Sequence, residues 1–188
     1  MADEARQRRA LENYLVAAAR TGDRGALGRL AELRGPRLLA HATRLLGHPE
    51  EARDAVEEAW IDILRGLPGL REPAAFPAWA TMIVTRRCAR LVRGKQADRS
   101  LARDFAVETA EVVPETGPDA ADARTLRAAI AALPPAHRAT VALFYLEDMT
   151  VPEVALATDV PVGTVKTRLM HARDKLRHIL EGGHHVRD

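Results

Sequence analysis

Residues 150–180 read TVPEVALATDVPVGTVKTRLMHARDKLRHIL, and this stretch decides the fold. Thr150 and Glu153 stand at capping-box spacing, where each side chain satisfies a backbone N–H at the head of a helix, and Pro152 fits the first turn because no helical donor is lost there. A turn around Asp159 to Val162 then leads into a longer helix, whose apolar residues Val165, Leu169, Ala172 and Leu176 recur at intervals of 4, 3 and 4 and so form one stripe. A short capped helix, a tight turn and a longer amphipathic helix make a helix-turn-helix.

The face opposite that stripe presents Thr164, Thr167, Arg168 and His171, flanked by Lys166, Arg173, Lys175 and Arg177. A helix lying in the DNA major groove needs this arrangement: short hydroxyls and long cations near its N-terminal end for base edges, and further cations for phosphates. A solvated cationic surface is the plain alternative for such a face.

Upstream, Leu126, Ile130 and Leu133 are followed by Pro134 and Pro135 and then by AHRATVALFYLED, which predicts two helices across a proline turn. In the first half, Pro36 opens an amphipathic helix carrying Leu38, Leu39, Ala42, Leu45 and Leu46, which Gly47 stops. Pro49 opens a second, with Ala52, Val56, Ala59, Trp60, Ile63 and Leu64 on one stripe and a strongly acidic opposite face. Residues 65–75, rich in proline and glycine, predict a loop before a third helix starting near Pro77. In that helix Ala80, Val84, Cys88 and Leu91 form an apolar stripe, with Arg86, Arg90 and Arg93 roughly 200° away from it. From Gln96 to Asp122 the periodicity dissolves into a polar, acidic segment that reads as a linker. No stretch alternates strictly between apolar and polar residues with hairpin turns, so the expected fold class is all-α.

Charge follows the same division. Residues 1–94 hold 16 basic and 12 acidic side chains, residues 95–122 hold 3 and 7, and residues 123–188 hold 9 and 7. Two mildly basic lobes on either side of an acidic strip suit contact with a polyanion at both ends. The single cysteine, Cys88, excludes an intrachain disulfide and cysteine-rich zinc modules and fits a reducing compartment. No signal-peptide core or membrane-length apolar run is present, so a cytoplasmic chain without membrane insertion is expected.

The stretch LRAAIAALPPAHRATVALFYLEDMTVPEVA followed by VPVGTVKTRLMHARDKLR resembles the promoter-binding C-terminal domain of the sigma-70 family. Independently, PRLLAHATRLLGHPEEARDAVEEAWIDILRGL followed by FPAWATMIVTRRCARLVR is similar to that family's polymerase-binding and promoter-melting domain. Nothing between them looks like the middle domain of housekeeping members, which implies the extracytoplasmic-function (ECF) group. The resemblance implies a sigma region 2-like helical bundle over residues 1–95, an acidic linker over 96–122, a sigma region 4-like helix-turn-helix domain over 123–181 and a tail over 182–188. It also implies a bacterial sigma factor that directs core RNA polymerase to promoters, with no catalytic residue, cofactor, metal or small-molecule substrate.

Roles follow residue by residue from the resemblance. Asp54, Ala55, Val56, Glu57, Glu58 and Trp60 map onto the part that docks on the beta-prime clamp of core polymerase, a charged rim around an apolar anchor; the same residues would otherwise be core and solvated surface. Glu57 stands where the family commonly shows glutamine, adding a charge and removing an amide donor. Arg86, Arg90 and Arg93, with Arg87 beside them, resemble the part that binds the minus-ten element as duplex melts. Trp79 lies on their stripe and either stacks an unpaired base or belongs to the core. The loop over 65–75 corresponds to the family's pocket for a flipped promoter base. Thr164, Lys166, Thr167, Arg168, His171, Arg173 and Lys175 map onto the minus-thirty-five recognition helix, in a domain that also meets the beta flap. Thr158 and Asp159 stand where the family often has leucine and glycine, which weakens one core contact; aspartate still tolerates left-handed geometry. Partners implied are core RNA polymerase, promoter DNA and a separate anti-sigma factor.

Two other classes compete. A metal or hydrolytic enzyme finds no support in spacing: His171 and His178 lie on a cationic helix, His184 and His185 in a glycine-rich tail, and no phosphate loop or nucleophile elbow is present. Cys88, on an apolar stripe, reads as an inert buried thiol. A stand-alone helix-turn-helix regulator would bind its operator without polymerase, whereas two lobes on a flexible tether bind DNA well only when a third body fixes their spacing.

Overall fold

The computed structural model describes residues 2–101 and 128–182. All regular elements among them are helical, in agreement with the all-α expectation. Helix α1 spans Ala2–Arg20, α2 Arg24–Leu46, α3 Pro49–Gly66 and α4 Phe76–Leu101, with two short 3-10 turns, Leu67–Gly69 and Pro73–Ala75, between the last two. After residue 127, α5 spans Pro135–Tyr145, α6 Val151–Thr158 and α7 Val162–Gly182; residues 128–131 are also helical.

The first four helices enclose one core. Leu15 and Val16 of α1, Leu30, Leu38 and Ala42 of α2, Ala52, Val56, Ala59 and Ile63 of α3, and Phe76, Ala80, Val84 and Cys88 of α4 close on one another with little or no exposure. The expected start of α2 at Pro36 is corrected: the helix begins twelve residues earlier, with Asp23 as N-cap accepting from the Ala26 N–H at 3.0 Å, and Pro36 lies inside it. An interior proline costs about 3 kcal/mol. That cost is outweighed because Ala26, Leu30, Arg34, Leu38, His41 and Ala42 keep one continuous buried face across it. Gly47, at φ 79°, ends the helix as expected and returns its N–H to the Thr43 carbonyl.

The loop expected over 65–75 is more ordered than its composition suggested. Arg65 and Gly66 complete α3, Leu67 is buried, and Glu72 caps the second 3-10 turn. Helix α4 continues to Leu101, so the first residues assigned to the linker extend it; the rest of the acidic segment, and the tail beyond 182, lie outside the described residues.

The second core joins Leu133, Val141 and Leu143 to Met149, to Val154, Ala155 and Ala157 of α6, and to Val165, Leu169 and Ala172 of α7. It takes in one residue from the first half, Ala78 of α4. The lobes are therefore docked, with α6 lying against α4 and α5 against α2.

Candidate nucleic-acid interface

The helix-turn-helix is assembled as its sequence predicts. Glu153 accepts from the Thr150 N–H at 2.6 Å while its own N–H reaches the Thr150 hydroxyl, completing the capping box. Asp159 adopts φ 54°, ψ 45°, and its N–H is held by the last carbonyls of α6. Thr158, in the position expected to weaken the core, is 8 % exposed and donates its hydroxyl to the Val154 carbonyl at 2.7 Å, so the polar group is satisfied within the helix.

With Val165, Leu169 and Ala172 buried, α7 turns Lys166, Thr167 and His171 to the outside. Thr164 and Arg168 are half-buried, and burial lowers the Arg168 guanidinium pKa from its usual value. His171 stacks on His137 of α5 with ring centroids 6.3 Å apart; burial, then the charge of Arg168, hold His137 below the ordinary histidine range. Farther along, Arg173 donates to the Tyr145 hydroxyl at 2.8 Å and Lys175 to the Ala132 carbonyl at 3.0 Å. Those two cations thus brace α7 on its own lobe, and the outward surface is concentrated near the N-terminal end of the helix.

On α4, Arg86, Arg90 and Arg93 are exposed on the side opposite buried Ala80, Val84 and Cys88. Arg87 points elsewhere. It bonds Asp62 at 2.5 and 2.9 Å and Glu58 at 2.8 Å, fastening α4 to α3, and the Asp62 bond raises its pKa further. Trp79 is half-buried against the first core, its ring 6.1 Å from that of Phe76 and its edge pressed on Gly66. Of the two readings of Trp79, the geometry favours packing. Burial pushes the Cys88 thiol up to about 12, so it stays protonated and inert.

Helix α3 presents Asp54, Glu57 and Glu58 to solvent, whereas Ala55 and Val56 face the core and Trp60 is half-buried. The apolar side chains that share the outer face are Ile61 and Leu64, 49 % and 44 % exposed. Sequence reasoning placed Leu64 on the inner stripe and gave Ile61 no role; the stripe drifts because 3.6 residues per turn carry successive positions around the helix.

A third cluster had no sequence signal. Arg34 is 5 % exposed, with Nε 3.7 Å from a Glu12 oxygen and Nη1 3.6 Å from Glu147, which also accepts from Arg37 at 2.5 Å. Arg8 and Arg9 reach Asp148 and Glu153 at the same place. Glu147, Asp148 and Glu153 belong to the second lobe, so this is an ion-pair seam between lobes. It continues where Arg138 donates to the Arg44 carbonyl at 3.0 Å, Thr85 to the Ala157 carbonyl at 2.6 Å, and Arg86 to both oxygens of Asp159 at 3.0 and 3.1 Å. Among the described residues no group of three or more His, Cys, Asp or Glu side chains could hold a metal ion.

Comparison with known proteins agrees with this geometry. The family described as Sigma-70 region 2 matches residues 30–97, and Sigma-70, region 4 matches residues 123–176. The chain is 33 % identical over 171 residues to the ECF RNA polymerase sigma factor SigM of Mycobacterium tuberculosis, covering 88 % of this chain and 83 % of that protein. It is 26 % identical over 167 residues to SigW of Bacillus subtilis, covering 83 % and 89 %. Among solved structures, the sigma factor RpoE in complex with the anti-sigma factor NepR from Bartonella quintana shares the fold, with a TM-score of 0.70 at 19 % identity over 82 % of this chain and 96 % of that one. With both regions matched in order and a relative 33 % identical over 83 % of its own length, the chain belongs to the sigma-70 family, among its ECF RNA polymerase sigma factors.

Proposed function

We propose that this ECF sigma factor, whose role is to direct core RNA polymerase to promoters, divides the task among three surfaces. Lys166, Thr167 and His171, with Thr164 and Arg168 at their margin, read the minus-thirty-five element in the major groove. Arg86, Arg90 and Arg93 hold the minus-ten strand, and Arg87 supports them by fixing α4 to α3. Asp54, Glu57 and Glu58 form the charged rim for the polymerase clamp, with Ile61 and Leu64 as apolar anchors beside the half-buried Trp60.

The observation that carries this reading is the helix-turn-helix itself: a satisfied capping box, a left-handed turn at Asp159 and a packed α7 with Lys166, Thr167 and His171 turned outward. A stand-alone regulator would need the same helix but not a first lobe matched as sigma region 2 over residues 30–97. Residues 1–95 and 123–181 form the two DNA-binding lobes, and the acidic segment of 96–122 beyond the end of α4 at Leu101 serves as the tether between them, with 182–188 as a tail. The chain acts without catalysis of its own. No described helix is long and apolar enough to cross a membrane, which fits action in the cytoplasm. The similar RpoE of Bartonella quintana was solved with an anti-sigma factor, and a separate inhibitor of that kind is proposed here.

The test is transcription by sigma-free core polymerase on fragmented genomic DNA, with and without the chain, mapped at transcript 5′ ends. Start sites sharing two upstream elements at fixed spacing are expected. Operator binding by the chain alone, with no new start sites, would replace this reading by the stand-alone regulator.

A further inference from the structure

We infer that Asp159 is an internal stand-in for DNA phosphate, adding to the seam that closes the free chain and occupying the phosphate-gripping edge of Arg86 until the lobes separate. The inference rests on the reading that Arg86 touches the promoter strand.

One edge of the guanidinium is fully engaged: Arg86 Nε lies 3.0 Å from Oδ2 and Nη2 3.1 Å from Oδ1 of Asp159. This is the two-point geometry with which arginine grips a phosphate, so carboxylate and phosphate cannot share that edge. The partner is rigidly placed. Asp159 sits at φ 54°, ψ 45°, with its backbone N–H bonded to Ala155 and Leu156 carbonyls. A left-handed turn of this kind is met most easily by glycine, which would give the turn without a charge; aspartate gives the turn and a carboxylate aimed across the seam. Mutual bonding raises the arginine pKa and lowers the aspartate pKa, so the pair stays ionised across physiological pH.

The contact does not stand alone. One residue before Arg86, Thr85 donates to the Ala157 carbonyl at 2.6 Å, and Ala78, two turns earlier on α4, is buried in the second core. Asp159 thus seals the exposed end of a docked surface, with Arg86 and Asp159 side chains 51 % and 48 % exposed. An exposed pair is weak and screened by salt, as a catch that must release on partner binding has to be.

The test uses the full chain carrying Asp159→Asn, which keeps the left-handed preference and removes the charge, and in parallel Arg86→Ala. Glu32→Cys and Asp174→Cys, on opposite lobes, carry a donor and acceptor dye for energy transfer. Binding to a mixed-sequence single-stranded oligonucleotide at low salt is followed by anisotropy. Asp159→Asn is expected to lower transfer efficiency and tighten oligonucleotide binding by about two- to fivefold; Arg86→Ala should lower transfer without tightening. Unchanged transfer in Asp159→Asn, or opening with no gain in binding, overturns the inference. Arg86→Ala is also assayed for initiation with core polymerase: loss there keeps Arg86 at the DNA even where the catch fails, while full initiation removes its DNA role and the inference with it.

Discussion

His41 on α2 and Thr85 on α4 meet at 2.9 Å between Nε2 and Oγ1, with the imidazole fully buried and the same hydroxyl reaching the Ala157 carbonyl of the other lobe. Burial, reinforced by the nearby charges of Arg44 and Arg34, lowers the His41 pKa from 6.5 to about 3. The unfolded chain therefore binds a proton that the folded chain refuses throughout that window, so stability is full above pH 6.5 and falls as pH drops toward 3. Between pH 6.5 and 5 the loss is about 2 kcal/mol. Denaturant midpoints of His41→Gln should lack this portion of the acid dependence.

Glu12 carries the opposite sign. Its burial raises the carboxyl pKa above 4.5, against the opposing charge of Arg34. The folded chain keeps a proton that the unfolded chain has already released, so this group's contribution to stability falls as pH rises from 4.5 through the raised value. Glu12→Gln should remove that slope, measured as the difference between variant and parent across pH 4 to 7 to cancel the His41 effect.

A β-carbon on Gly66 would lie 2.8 Å from Cζ2 and 3.1 Å from Cη2 of Trp79, both parts of a packed ring that cannot swing away freely. Gly66→Ala should cost about 1–3 kcal/mol, in spite of alanine's better helix propensity. Pairing it with Trp79→Phe should recover part of the loss, giving a non-additive double-mutant cycle in urea unfolding.

Arg87 and Arg90, three residues apart on α4, should respond differently. Arg87→Ala breaks the bonds to Asp62 and Glu58 and should lower stability by about 1 kcal/mol. Arg90→Ala should leave the unfolding midpoint unchanged and weaken initiation by core polymerase. Equal effects on stability would remove the distinction.

On α7, Lys166→Ala should weaken binding to the minus-thirty-five element by about 1–3 kcal/mol and relax discrimination at the position it contacts, with no change in melting temperature. Arg168→Ala should affect both readouts, because its half-buried stem packs on the lobe.

Local chemistry was the legible part of this sequence. The Thr150 to Glu153 box, the Asp159 turn and the Gly47 stop each depend on residues within a few positions of one another and formed as read, while of the stripe on α4 Ala80, Val84 and Cys88 are buried and Leu91 is exposed. Pro36 misled because the strongest local breaker was overruled by a buried face lying on both sides of it. The seam was illegible for a different reason: Arg34 and Glu147 are separated by more than a hundred residues, and no periodicity couples them. Arg87 shared a sequence cluster with its neighbours, yet one hundred degrees of helix rotation from Arg86 to Arg87 turned it from the outer face to α3. Leu64 was placed on the inner stripe because it follows Ile63 at its end, and Ile61 was given no role because an apolar residue on a charged face carries no sign in the sequence of what covers it.

Ala78 is the residue of α4 enclosed by the second core, and the contacts around it, through Thr85, Arg86, Arg34, Arg37 and Arg138, are polar. The exposed ion pairs of that boundary are screened by salt, so the balance between closed and open chain should move toward the open form as ionic strength rises, which makes the cell's salt content an input to how readily this chain meets its partners.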